Sequence, residues 1–164
     1  MNLLERLIGH DTWTTRRLLE LSGTLTDEQL DREFDIGHGN VRKTFDHMVW
    51  NVECWTDLMM SRTVRPRSSD CALTALTSRF DEAAHKYESA APLIFEQDRL
   101  DDVFTDTLDN PPQSKSYGGL IVHLATHGMH HRAQLLYMLR RLGVEELPEG
   151  DVLTWEQTVG VSDE

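Results

Sequence analysis

Residues 116–142 read SYGGLIVHLATHGMHHRAQLLYMLRRL, and the fold is read outward from them. At about 100° of helix rotation per residue, Leu120, Leu124, Leu135, Met138 and Leu142 share one arc roughly 60° wide. The spacing predicts a helix from near Ser116 to Leu142, ended by Gly143. His131 lies inside the apolar arc and His127 at its edge, where the pattern asks for Leu or Ile. His123 and His130 point away from the arc's centre. The buried pair is therefore His127 and His131, one turn apart and stacked on one face.

Three more amphipathic stretches precede this one. The first runs from about Leu3 to Leu21, with Leu4, Leu7, Ile8 and Leu18 on one stripe, and stops at Ser22-Gly23. Thr26 with Gln29 three residues later predicts a short capped turn. Residues 35–40 read as a loop. Asn40 is placed to cap a helix through Met60, with Val41, Phe45, Met48, Val52, Trp55 and Met59 on one side. The third spans about Cys71 to Glu96, where Pro92 is expected to kink it or end it early. Residues 97–116 hold Pro111-Pro112 and many polar residues and are expected to form a long connection, and strand alternation is nearly absent from the chain. The acidic tail, Glu145 to Glu164, carries Leu147, Val152, Leu153 and Trp155 and is expected to pack. Four helices of this length in 164 residues predict one all-α domain, residues 1–164, built as a bundle.

Composition narrows the function. A formal charge of −12 argues against nucleic acid or an anionic membrane surface as partner. The short basic cluster Arg62 to Arg67 reads as a solvated loop. Charged residues interrupt the N-terminus before a secretory apolar run develops, and no stretch is long enough to span a bilayer. Cys54 and Cys71 lie in no CxxC motif, which fits a reducing compartment, although one pair leaves a disulfide open. A soluble, cytoplasmic protein is expected.

The chemistry lies in the histidines. Two imidazoles one turn apart converge on one metal ion, and the ion removes the cost of burying them unpaired. Hydrogen-bonded core histidines are the plain alternative. The HExxH protease signature is not met. His47 flanks the apolar arc of the second long helix beside Trp50, Asn51, Cys54 and Leu58, while Asp46, Glu53 and Asp57 are expected outward. It is the candidate third ligand. Cys54 lies two turns, roughly 10.5 Å, along the axis from His47, so it reads as core. Asp11 falls inside the apolar stripe of the first helix. Either it bonds a neighbouring group, or it stands over the metal as a supporting group, ligand or general base. His10, His38 and His85 are assigned to the surface.

Three stretches then carry a family resemblance: His10-Asp11-Thr12-Trp13 through Leu18-Leu19, Thr44-Phe45-Asp46-His47 through Glu53 and Trp55, and His123 through Gln134. Together they resemble the DinB/YfiT-like superfamily of metal-binding bundles, which is unrelated to the DNA polymerase of the same name. The third stretch is close to the family's H-x-x-x-H-x-x-x-H-R-G-Q segment, with Ala133 for the usual Gly. Asp11 stands where the family commonly has Asn.

The resemblance implies an up-down-down-up bundle whose crossover, Ser61 to Asp70, joins the second and third long helices. It also implies His47, His127 and His131 as metal ligands, and often a homodimer. Some relatives transfer low-molecular-weight thiols such as bacillithiol, mycothiol or glutathione. Others are regarded as metal-dependent hydrolases. The leading expectation is a thiol S-transferase acting on small electrophiles, with one divalent ion and a thiol cosubstrate. Zinc or nickel comes first for the ion, with iron, manganese or copper as alternatives. Asp11 is the candidate catalytic group, and Trp50 and Asn51 are pocket residues. The rival expectations are a hydrolase and a non-catalytic stress-response protein that binds metal.

Overall fold

The first helix, α1 (Leu3–Ser22), starts because Asn2 and Glu5 satisfy each other's backbone N–H groups. In the computed structural model, which describes residues 1–160, it is followed by the expected capped turn, α2 (Asp27–Leu30). Asn40 accepts from the Lys43 N–H at 2.8 Å and opens α3 (Val41–Met59). Helix α4 (Leu73–Glu96) continues through Pro92, giving up one backbone N–H bond without ending. Ser116 caps α5 (Tyr117–Arg141), and Gly143, at φ +83°, makes the left-handed turn after it.

Helix α3 packs on α4 and α5, and α1 packs on the same two. The apolar stripes meet in one core through Leu18, Phe45, Leu76, Phe80, Tyr87, Leu135 and Met138. The acidic tail does pack: α6 (Val152–Thr158) buries Trp155 against α1, where a Cβ on Gly9 would collide with the indole. Residues 161–164, the end of that tail and of the expected domain, lie outside the described residues.

Three expectations need correction. Residues 97–116 are not a plain connection: β1 (Val103–Asp106) and β2 (Gln113–Ser116) pair antiparallel, with Phe104 opposite Lys115. Asp106, fully buried, ties the hairpin by pairing with Lys115 and accepting from the Leu108 N–H. Asp46, Glu53 and Asp57 are buried, not outward. Arg65 grips Asp57 with two bonds of 2.6 and 2.7 Å, Arg67 reaches Asp46 at 2.6 Å, and Arg79 of α4 reaches Glu53 at 2.7 Å. The basic cluster is therefore not a solvated loop, because it fastens residues 60–72 onto α3. Cys54 and Cys71 are both free thiols. Among the described residues, no helix is long and apolar enough to cross a membrane.

Candidate metal centre

The side of α3 that faces α5 carries His47, and α5 answers with His127 and His131. The Nε2 atom of His127 lies 3.0 Å from that of His47 and 3.2 Å from that of His131. The Nε2 atoms of His47 and His131, from two helices, thus both lie against that of His127. Four nitrogens held tetrahedrally at 2.0–2.1 Å from an ion would stand about 3.3–3.4 Å apart, so the spacing suits a shared cation.

The ring proton of His131 has a defined place. Its Nδ1 donates to Oε1 of Gln134 at 2.9 Å, while the Gln134 amide nitrogen donates to Nε2 of His130 at 2.9 Å. The lone pair of His131 Nε2 is therefore directed at the cluster. A single shared proton cannot satisfy three nitrogens at this separation; a divalent cation can. Burial, then repulsion from neighbouring imidazoles, pushes His47 down to about 4 and His127 down to about 3. Burial also lowers His131, against the opposing pull of Gln134. The cluster is neutral at physiological pH, the state in which imidazole binds metal.

His38 keeps its exposure to solvent, as expected, yet its ring also adjoins the cluster. Its ring lies 4.0 Å from that of His47 and 5.1 Å from that of His131, measured between centroids. One ligand atom from each of these three residues lies within 4.8 Å of the other two, so among the described residues they form a group that could hold an ion, one that does not include His127. A loop histidine has no helical period to reveal it. The one available signal was its setting between Gly37 and Gly39, which adopt φ +52° and +88°. His10, by contrast, is not at the surface: it is buried and bonded to the Gly150 carbonyl at 2.9 Å. His85 is exposed, as expected.

Asp11 is buried against Arg132, which contacts its carboxylate and donates to its backbone carbonyl at 3.2 Å and to Thr15 at 3.3 Å. Burial pushes the Asp11 carboxyl up, and Arg132 works in the opposite direction. A Cβ on Gly128 would stand 2.5 Å from Oδ1 of Asp11, so this glycine makes room for the pair. Trp50 and Asn51 are half-buried on α3, three and four residues beyond His47. Cys54 is buried and its thiol is pushed up to about 12 by burial, which fits core rather than ligand.

Cavities flank the cluster on two sides. One of about 400 Å³ is walled by Trp55, Phe104, Lys115 and His123, the last with its ring 5.1 Å from that of His127. The hairpin supplies Phe104 and Lys115 to that wall. The other, about 350 Å³, is lined by His38, Arg42, Asp46 and Arg67.

A model described as the DinB family matches residues 1–157. No curated protein matches the chain.

Proposed function

The chain belongs to the DinB family, and from that premise we propose a divalent-metal-dependent enzyme of thiol S-transferase type. His47, His127 and His131 hold the ion in this reading, with zinc or nickel suited to the imidazole set. The observation that carries it is the approach of the Nε2 atoms of His47 and His131 to that of His127, at 3.0 and 3.2 Å. Family membership adds support, as does the ring of packed helices, which suits an up-down-down-up bundle with its crossover in residues 60–72.

When bound, an ion on three neutral imidazoles keeps its full charge, favours ionisation of a thiol or water and polarises an electrophile. The protein's own contribution is positional. Gln134 holds the proton on Nδ1 of His131 and so keeps Nε2 free. Asp11, tied to Arg132 beside His131, acts in this proposal by holding α1 against α5 at the site. Trp50 and Asn51, half-buried on α3 close to His47 in sequence, are the pocket residues of this proposal. The flanking cavities have room for a small thiol and a small electrophile. A cytoplasmic location, expected from the sequence, and a homodimer, implied by the family resemblance, complete the reading.

The nearness of His38 to the cluster favours one second reading, a non-catalytic metal-binding protein with a closed coordination sphere. Metal analysis of the purified chain, followed by thiol-addition assays with glutathione, mycothiol and bacillithiol, tests both. One ion per chain and thiol transfer abolished by His131→Ala are expected. Stoichiometric metal without turnover on any thiol would leave the non-catalytic reading, whereas ester or amide cleavage would point to a hydrolase. Absence of metal would sink all three.

A further inference from the structure

We propose that His38 is a fourth, loop-borne ligand of the ion, an inference that rests on the metal site proposed above. The three ligands of that site come from α3 and α5, whereas His38 comes from the loop between α2 and α3. Its ring contacts are with the rings of His47 and His131, and one ligand atom from each of the three lies within 4.8 Å of the others. A loop imidazole gathered with the half-buried His47 and the buried His131 has the donor chemistry of a further ligand.

The loop is built onto the site. Gly37 at φ +52° passes so close to α5 that an added Cβ would fall on Oε1 of Gln134, the atom that accepts the His131 ring proton. Gly39 at φ +88° donates to the Ile36 carbonyl at 2.9 Å and accepts from the Phe34 N–H at 2.6 Å, which closes the loop on itself. The backbone on one side of His38 thus rests on the side chain that orients a metal ligand, and the backbone on the other is pinned to the loop's start. Both glycines occupy backbone conformations that other residues adopt with strain. The sequence therefore spends two glycines on presenting one histidine.

The consequence is a coordination sphere closed by protein at rest. A substrate atom reaches the ion only when His38 leaves it, by way of the cavity that His38 shares with Arg42 and Arg67.

Cobalt(II) titration of the chelator-stripped full chain, followed by calorimetry and visible absorption, tests this with wild type, His38→Ala, His38→Gln and His127→Ala. Both His38 variants are expected to bind one ion at least about 10-fold more weakly than wild type, with a weaker visible band. Added imidazole should restore the band in His38→Ala. His127→Ala should lose stoichiometric binding. An affinity and band in the His38 variants identical to wild type would overturn the fourth ligand and leave the three-histidine site standing. No ion in wild type would overturn both. Thermal melts of the stripped proteins control for folding, and His38→Gln carries the comparison if His38→Ala is unstable.

Discussion

Helix α3 bears two polar clusters on different sides, and they are finished to different degrees. Toward residues 60–72 and α4, Asp46, Glu53 and Asp57 each meet an arginine. Toward α5, His47 meets only other imidazoles and, through His131, an amide. In the first cluster opposite charges close every pair within the chain. In the second, like groups are packed together and kept neutral by burial. A polar cluster complete in itself serves the fold. One whose lone pairs are turned on each other, with no oppositely charged side chain among the described residues bonded to them, is suited to bind a cation.

The buried Asp11–Arg132 pair is the extreme of the finished kind, and breaking it should have the largest effect. Arg132→Met leaves a carboxylate enclosed without its partner, at an expected cost of about 3–5 kcal/mol in urea unfolding. The double variant Asp11→Leu with Arg132→Met should recover most of that loss. A single variant as stable as wild type would show that the pair is not closed as described.

Removing His131 tests the unfinished cluster. Metal at about 100 times its dissociation constant should stabilise wild type by about 2.7 kcal/mol, read as a raised melting temperature. His131→Ala should show no such shift. Gln134→Leu acts one step further out: the ion should still bind, but about 10- to 100-fold more weakly, because the His131 ring is no longer held in one tautomer. Equal affinity in Gln134→Leu would mean that the ring is oriented by packing alone.

Acid separates the clusters by their pH windows. His47 and His127 are held near 4 and 3, below the value of about 6.5 for a free imidazole, so the unfolded chain takes up protons first. Their contribution to stability is complete above about pH 6.5 and falls as pH drops through the folded values. Metal release follows the same direction. Asp57, held below the usual carboxylate range chiefly by its bonds to Arg65, keeps its contribution until pH falls below about 4. Denaturant melts of the stripped protein between about pH 7.5 and 4 should therefore lose stability first from the histidine side.

The two clusters also differed in how far the sequence disclosed them. His127 and His131 were legible because they occupy Leu positions in a long period, and His47 because it borders one. The four long helices were legible for the same reason. The hairpin was not: strands of four residues are too short to alternate visibly, and theirs include Lys115 and Asp106, whose pairing needs the fold. Asp46, Glu53 and Asp57 read as outward because charge on a helix is normally solvated. Their partners lie up to 33 residues away along the chain, where only the excess of arginine between Arg62 and Arg67 hinted at them. His38 carried no period at all.

The smallest effect is expected at the rim of the finished cluster. Arg65 is partly exposed and bonds Asp57 twice, while Glu53 keeps its two bonds from Arg79 without it. Arg65→Ala should therefore cost less than Arg132→Met, about 1–3 kcal/mol, because truncation opens the Asp57 carboxylate to water and leaves it the bond from the Arg65 backbone N–H. Its diagnostic value lies in what should stay constant. Asp57 is ten residues beyond His47 on α3, about 15 Å along the axis, so loosening its partner leaves the histidine nitrogens in place. Metal affinity should match wild type within error. A parallel loss of affinity would show that the arginine network also sets the geometry of the histidines, and that the two clusters work as one.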